Sequence, residues 1–398
     1  MRHGQNKTEE VEAQLTNSAN TIGSSFAFTC FGESHGRCVG VVVDGCPAGL
    51  EITENEIQTL LDLRRPGQSI VTTQRSEEDK VEILSGVFRG KTTGAPICML
   101  IWNSDMRSSD YDKFVSIPRP GHADYPALVK YAGLNDYRGG GRFSGRITAG
   151  YVMAGAIARK LLLQTLSIQI FAYTLELGGI RANVSKMTTD ELIASRYSNE
   201  VRCPDMRAAE KMLSLVIKSR GEGDSLGGLV ECVAIGAPIG LGEPIFSSLE
   251  SELSRAIFSI PAAKGIEFGS GFGGTKLRGS ENNDTYVEIR DGKLITKTNN
   301  AGGILGGMTT GMPILFRVAF KPASSIATPQ ETMDLKSGKI TSLQVPGRHD
   351  PTVVPRAVPV VECMTACTMA DLAIKGGFIP PVLGRKEDRR QTTNLDTD

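Results

Sequence analysis

Runs of apolar residues divide the chain into strand-like and helix-like segments. Short apolar runs predict strands at 39–43, 81–88, 95–102, 167–175, 229–235 and 313–320. Apolar positions at helical spacing predict helices at 53–64, 144–165, 205–219, 249–258 and 356–374. Because the two kinds of segment alternate irregularly, the pattern indicates an α+β fold.

Two of the predicted helices carry clear start signals. Thr53 and Glu56 have the spacing of a capping box, and Asp205 follows Pro204 at the beginning of an apolar-periodic segment. We therefore expect the first helix to begin just after Thr53 and the third to begin at Asp205.

A weak internal repeat occurs in the same order at two places. Residues 45–50 (GCPAGL) match 236–241 (GAPIGL), each after a predicted strand, and 92–97 (TTGAPI) match 309–314 (TTGMPI), each opening one. Gly/Pro turns are common, so chance is the alternative. The shared order favours a duplicated unit, and we expect two similar halves related by a pseudo-twofold axis, with the site between their loops.

The length of 398 residues exceeds the size at which single cores stop growing, which agrees with a duplicated unit. Residues 1–19 are predicted to be a polar extension and 384–398 a flexible charged tail. Between them we predict one domain, 20–383, whose repeat copies span about 39–102 and 229–320.

Charge and cysteine usage narrow the class of protein. The 44 Lys and Arg residues balance 44 Asp and Glu residues without a basic tract, so nothing indicates nucleic acid or an anionic membrane as partner. The eight cysteines include no Cys-x-x-Cys pair and are interpreted as small buried hydrophobes. No signal-peptide pattern or apolar run of about 18 residues occurs, which predicts a cytoplasmic protein.

Three of the four histidines lie in loops rich in Gly, Pro and Arg. These are His35, His122 and His349, whereas His3 lies in the polar leader. Such a loop histidine has backbone room and access to water, and its reference pKa of about 6.5 suits proton transfer. A lone loop histidine is often inert, but three held beside arginines and carboxylates favour catalysis.

Glycine-rich segments supply candidate anion sites. Residues 137–146 combine four glycines with three arginines before a predicted helix capped by Ser144, which predicts a cradle for a phosphate or carboxylate. A second run, 299–308, lacks the dinucleotide-binding order, but the segment 321–325 after the next strand would suit a phosphate or a flavin edge. Metal binding is the alternative interpretation of His122 with Asp124, but no His-x-x-x-His pair or carboxylate cluster supplies the further ligands that a metal site needs.

Taken together, these loops resemble the chorismate synthase family over about residues 20–375. The motifs are GESHG at 32–36, RPGHAD at 119–124, DYRGGGR at 136–142, GRHDP at 347–351 and RAVP at 356–359. The resemblance implies a β-α-β sandwich built from a duplicated unit, usually a homotetramer. It implies 1,4-anti elimination of phosphate from 5-enolpyruvylshikimate-3-phosphate to give chorismate. Reduced FMN would be required without net redox change, and NADPH or a separate flavin reductase would serve only to reduce it.

The resemblance also implies roles for individual residues. His35 would serve the leaving phosphate, His122 would protonate the reduced flavin, and Asp350 would be linked to proton removal at the flavin N5. The substrate anions would meet Arg64, Arg119, Arg146 and Arg348. The flavin contacts would be Arg142, Phe143, Ser144, Pro261, Ala262, Gly306, Lys321, Pro322, Ala323, Ser324, Ser325 and Arg348.

Three positions depart from the commonest family pattern. Phe143 stands where a serine is frequent and Pro261 where an asparagine is frequent, so their side chains supply no hydrogen bond to a flavin. Ile70 replaces an arginine that many members use, which weakens a nicotinamide site. Two other functions stay open: a non-catalytic anion-binding protein, and a flavin-independent phosphate-transferring enzyme, which the absence of a Gly-x-x-x-x-Gly-Lys-[Ser/Thr] loop disfavours.

Overall fold

The computed structural model describes residues 19–65, 79–104, 108–345 and 350–384. Numbered in chain order, its strands are β1 Thr21–Ile22, β2 Ala27–Gly32, β3 Cys38–Asp44, β4 Val81–Ile83, β5 Val87–Phe88, β6 Lys91–Thr92, β7 Ile97–Trp102, β8 Gln169–Leu177, β9 Ile180–Arg181, β10 Gly228–Ile235, β11 Ala263–Phe268, β12 Tyr286–Arg290, β13 Lys293–Thr296, β14 Ile304–Leu305, β15 Met308–Thr309, β16 Ile314–Phe320, β17 Gln330–Asp334 and β18 Lys339–Leu343. Its helices are α1 Glu54–Arg64, α2 Asp124–Lys130, α3 Thr148–Leu166, α4 Thr189–Ser195, α5 Met206–Gly221, α6 Leu249–Ile257, α7 Gly271–Gly274, α8 Gly279–Asn282 and α9 Val354–Lys375.

Two five-stranded antiparallel sheets enclose a layer of helices. The first sheet has the order β1-β2-β3-β7-β4 and the second the order β11-β16-β10-β8-β9. Helices α3 and α9 pack against each other between them, α3 against β3 and α9 against β8 and β10. The two helices can approach this closely because residue 155 has no side chain. A Cβ atom on Gly155 would lie only 2.1 Å from Cys363 Cβ. The predicted α+β fold, a β-α-β sandwich, is confirmed.

The two halves share their turn structure as well as their strand pairing. β3 pairs antiparallel with β7 as β10 does with β16. In the first half, Thr92 Oγ1 donates to Pro47 O and accepts from Leu50 N at 2.9 Å. In the second half, Thr309 Oγ1 donates to the carbonyl of Pro238 and accepts from the Leu241 N–H at 2.9 Å. These equivalent bonds are what a duplicated unit requires.

Two of the predicted segments differ from the structure by more than one or two residues at an end. The predicted strand 81–88 is divided into β4 and β5, because Gly86 has a φ of +80° and turns the chain there. The predicted helix 144–165 begins at Thr148 instead, because residues 145–147 form a 3₁₀ turn in which Ser144 Oγ accepts from the N–H of Arg146. The capping box at Thr53 and the cap at Asp205 are both present.

Helix α9 is the centre of the core. Among the described residues it alone is long and apolar enough to cross a membrane, but 89% of its most apolar window is buried inside the protein. Its Glu362 is fully buried and binds Arg159 and Arg196, and it accepts a hydrogen bond from Ala172 N at 2.8 Å. Paired in this way, the carboxylate joins α3, α9 and β8.

Candidate active site

Two histidines meet on one glycine segment. Gly139, Gly140 and Gly141 all have positive φ angles of 61°, 82° and 52°. A Cβ atom on Gly139 would lie 2.2 Å from Cδ2 and 2.5 Å from Nε2 of His35. A Cβ atom on Gly140 would lie 3.5 Å from Nε2 of His122. The two imidazoles therefore face neighbouring residues of a backbone that only glycine can form.

His35 lies in the tight loop between β2 and β3. The Asn103 side chain holds this loop, because its Nδ2 donates to the carbonyl oxygens of Glu33 at 3.1 Å and Gly36 at 2.8 Å. The ring of Tyr111 packs edge-on against the imidazole, with 5.1 Å between centroids. The expected access to water is wrong for this residue: His35 is only 4% exposed, since the glycine backbone and the Tyr111 ring cover it.

His122 is held by a carboxylate at the start of α2. Its Nδ1 lies 2.6 Å from Oδ1 of Asp124. Arg119 binds the same carboxylate through Nε at 2.8 Å and Nη2 at 2.7 Å, donates from Nη1 to Ser325 Oγ, and stacks 4.5 Å from the ring centroid of Phe114. Burial disfavours the charged form of Asp124, but hydrogen bonds from Arg119 and His122 hold its pKa well below the usual range.

Two further arginines share one buried aspartate. Arg64 donates from Nη1 to Asp79 Oδ2 at 3.1 Å, from Nη2 to Gly145 O and from Nε to Thr148 Oγ1. Arg146 donates from Nη1 to Asp79 Oδ1 at 2.7 Å. All three charged side chains are buried. The Asp79 carboxylate bridges Arg64 at the end of α1 and Arg146 in the glycine-rich segment.

Sequence reasoning missed three polar residues of this region. Asp79 has a φ of +46°, in the left-handed region that costs an ordinary residue about 1–2 kcal/mol. Asn103 accepts a hydrogen bond from Arg146 Nε at 2.6 Å. Ser34 Oγ is buried beside Gly139, with no hydrogen-bond partner among the described residues. Ser34 lies in the GESHG motif, in which the sequence predicts a role for His35 alone. No local sequence pattern marks Asp79 or Asn103.

The predicted flavin residues fall into two groups. In the first, the segment Lys321–Ser325 joins the His122 loop, because Lys321 Nζ donates to the carbonyl of Gly121. Pro261 and Ala262 lie beside it, with Lys321 N donating to Ala262 O at 3.0 Å. Burial and a neighbouring lysine lower the pKa of Lys321. Residues 321–325, Pro261 and Ala262 thus form one edge of the site, where an anionic or flat ligand would fit.

The second group is not joined to the histidines by described contacts. Arg142 is exposed and donates to the Asn20 side chain, and Phe143 lies 6.5 Å from the ring of Tyr131. Gly306 forms the turn between β14 and β15, and among the described residues a Cβ atom there would lie within 4 Å of Met308 alone. The structure therefore brings together the histidines, the arginines and residues 321–325, and leaves Gly306 apart.

Asp350 is linked to the same region through Arg356. The Arg356 guanidinium binds the Asp350 carboxylate through Nη1 and donates from Nε to the carbonyl of Arg64 at 3.2 Å. This contact places Asp350 near the end of α1. Three residues named in the sequence predictions lie outside the described residues: Arg348, His349 and Ile70.

A separate surface cavity of about 460 Å³ contains none of the predicted site residues. It lies between β9 and the start of α5 and is lined by Ile180, Arg181, Asn183, Met187, Asp205, Arg207, Ala208 and Lys211. Its carboxylate, Asp205, caps α5. The cavity is therefore separate from the histidines and the buried arginines.

Comparisons with known proteins agree with the geometry. The family model described as chorismate synthase matches residues 26–374. Chorismate synthase of Dehalococcoides mccartyi is 53% identical over 365 residues, covering 92% of this chain and 99% of that protein. The enzyme of Methanocaldococcus jannaschii is 52% identical over 372 residues, covering 91% and 98%. A solved structure titled "Crystal Structure of Chorismate Synthase" superposes with a TM-score of 0.68 at 29% identity, covering 89% of this chain and 93% of that one.

Proposed function

The chain belongs to the chorismate synthase family, and we propose that it converts 5-enolpyruvylshikimate-3-phosphate into chorismate and phosphate by 1,4-anti elimination. It would be a carbon–oxygen lyase, acting at the last step of the shikimate pathway and requiring reduced FMN without net redox change. The observation that carries the proposal is the meeting of the two loop imidazoles on the Gly139–Gly140 backbone.

His35 is placed to assist departure of phosphate. In the elimination, the carbon–oxygen bond to phosphate breaks, a ring carbon loses a proton and a new double bond forms. A buried imidazolium donates a proton to the leaving oxygen and lowers the charge that develops there. The Asn103 clamp on the His35 loop and the edge contact of Tyr111 hold the ring in one orientation.

The arginines supply local positive charge in a chain of zero net charge. The substrate carries two carboxylates and a phosphate, so its binding needs cations gathered at one place. Arg64, Arg119 and Arg146 lie around the histidines, and each is already oriented by a buried carboxylate. We propose that they bind the anionic groups of the substrate, with Arg348 contributing from outside the described residues.

Residues beside His122 fit a reduced flavin. Gly121 has a φ of +70°, and a Cβ there would lie 3.5 Å from Ser324 and 3.8 Å from Lys321 Nζ, so glycine keeps a cradle open between the two segments. Lys321 to Ser325, Ala262 and Arg142 would hold the group. When bound, reduced FMN would supply the base that takes the ring proton. His122 would hold a proton toward this cradle, and Asp350 would be linked to proton removal at the flavin N5.

Exposed apolar side chains bear on the assembly that we propose. The region 245–289 carries several highly exposed apolar side chains, among them Ile245 at 76%, Phe246 at 91%, Phe272 at 77% and Ile289 at 73%. Exposed apolar groups of this kind support a homo-oligomer, and we propose a cytoplasmic homotetramer. NADPH, with or without a separate flavin reductase, would act only as reductant of the flavin.

Anaerobic assays test the proposal. Reduced FMN plus substrate should release phosphate and form chorismate, whereas oxidised FMN alone should not. His35→Ala and His122→Ala should each lower turnover by roughly 10²–10⁴, the usual value of positioned acid–base groups. Phosphate release that ignores the flavin state would favour the flavin-independent enzyme, and binding without release would favour a non-catalytic anion-binding protein. Chorismate formation with oxidised FMN and NADPH, without an added reductase, would show self-reduction.

A further inference from the structure

The Asp124 carboxylate accepts three hydrogen bonds from Arg119, and His122 lies against the same carboxylate. Oδ2 accepts from the backbone N–H of Arg119 at 3.0 Å and from its Nε at 2.8 Å. Oδ1 accepts from Arg119 Nη2 at 2.7 Å and lies 2.6 Å from His122 Nδ1. The pair is nearly buried, with 8% of the Asp124 side chain exposed.

This geometry decides where the protons of His122 reside. At 2.6 Å, a lone pair on Nδ1 would face a carboxylate oxygen without a proton between them, which is strongly unfavourable. Arg119 is fixed in position, because its guanidinium binds both oxygens of the carboxylate and also Ser325. Nδ1 therefore carries a hydrogen in both the neutral and the charged ring. Its 3.1 Å approach to Arg119 Nη2 is then a contact of two donors and not a hydrogen bond.

The other ring nitrogen faces the glycine segment. Nε2 would lie 3.5 Å from a Cβ on Gly140 and Cε1 would lie 3.6 Å away. The space in front of Nε2 exists because residue 140 has no side chain and a φ of +82°. A proton can leave or reach the ring there, while the Nδ1 proton stays with Asp124.

We infer that Asp124 is the positioning residue of His122: it commits the imidazole to the Nδ1–H tautomer, makes Nε2 the proton-exchanging atom, and is itself held in place by Arg119. The catalytic consequence rests on the proposed function, but the tautomer does not.

Nitrogen-15 NMR of histidine-labelled protein tests the inference without substrate or flavin. The chain has only four histidines, and the His122 signals are assigned by their loss in His122→Gln. We expect Nδ1 of His122 to give a protonated, pyrrole-type resonance and Nε2 of the neutral ring to give a pyridine-type resonance. A pyridine-type Nδ1 resonance in the wild-type protein would overturn the inference.

Asp124→Asn should reverse the tautomer. The amide has one oxygen, which Arg119 Nε and the backbone N–H will take, so its NH₂ group then faces His122 and donates to Nδ1. We expect a pyridine-type Nδ1 and a fall in kcat of about 10²–10⁴ with a much smaller change in KM. Asp205→Asn, which alters a helix-capping carboxylate outside the site, should keep the wild-type spectrum and rate.

The outcomes separate the two levels of the argument. A folded Asp124→Asn variant with the wild-type tautomer would overturn the positioning role. A protein with the Nδ1–H tautomer but no reduced-flavin-dependent phosphate release would retain the inference and lose the proposed function. If the variant fails to fold, the wild-type resonances decide the tautomer, and Gly140→Ala, which obstructs Nε2 and leaves Asp124 in place, should lower kcat without changing the Nδ1 resonance type.

Discussion

Asp79→Ala tests whether the buried arginines depend on one carboxylate. The carboxylate accepts from Arg64 at 3.1 Å and from Arg146 at 2.7 Å, and its own side chain is fully buried. With charge centres about 4 Å apart and an effective dielectric of about 20, each pair contributes about 4 kcal/mol of Coulomb energy. Removing the carboxylate also removes its own desolvation cost of several kcal/mol.

The net expectation is a loss of about 3–5 kcal/mol in the free energy of unfolding, the usual result when one partner of a buried ion pair is removed. Urea titration followed by tryptophan fluorescence or circular dichroism measures it. Thr148→Val gives a graded comparison, because it keeps the ion pairs and removes two hydrogen bonds, the one from Arg64 Nε and the one that Thr148 Oγ1 donates to Gly145 O. That change should cost about 1.5–3 kcal/mol.

Function should respond as well as stability. Without Asp79 the two guanidinium groups lose the contact that orients them toward the glycine segment, so we expect KM for the anionic substrate to rise by about tenfold or more in the folded fraction. An Asp79→Ala protein with the wild-type urea midpoint and the wild-type KM would refute the reasoning, since the carboxylate would then organise neither arginine.

Three further predictions follow from packing and charge. Gly139→Ala should abolish most activity, because its Cβ would collide with the His35 ring, whereas Gly179→Ala, also at positive φ but with nothing within 4 Å, should keep wild-type turnover. The folded pKa of Asp124 is depressed, so its stabilisation is present above pH of about 4 and is lost as pH falls; the stability gap between wild type and Asp124→Asn, measured by urea titration, should narrow between pH 7 and pH 3. Glu362→Ala should lower the urea midpoint by leaving two partly buried arginines without their shared carboxylate, and an unchanged midpoint would contradict this.

Local sequence determined the elements that carry most of the core. The apolar runs at 39–43 and 229–235 are β3 and β10, and the capping box at Thr53 starts α1 where predicted. Repeated turn motifs pointed to two similar halves, and Thr92 and Thr309 make equivalent bonds in them. Short or exposed strands such as β12 and β13 had no such signal, because period-2 burial is absent when neither face is covered.

Motifs that can be recognised without coordinates also marked the loops that carry His35, His122 and the arginines. Tertiary structure alone decided what those groups contact. Asp79 is 15 residues from Arg64 and 67 from Arg146, and no spacing rule joins them. His35 and His122 meet only because the loops after β2 and before α2 both pack on the glycine segment. Periodicity reports which face of an element is buried, whereas such meetings depend on how distant chain segments pack, and that is a property of the whole fold.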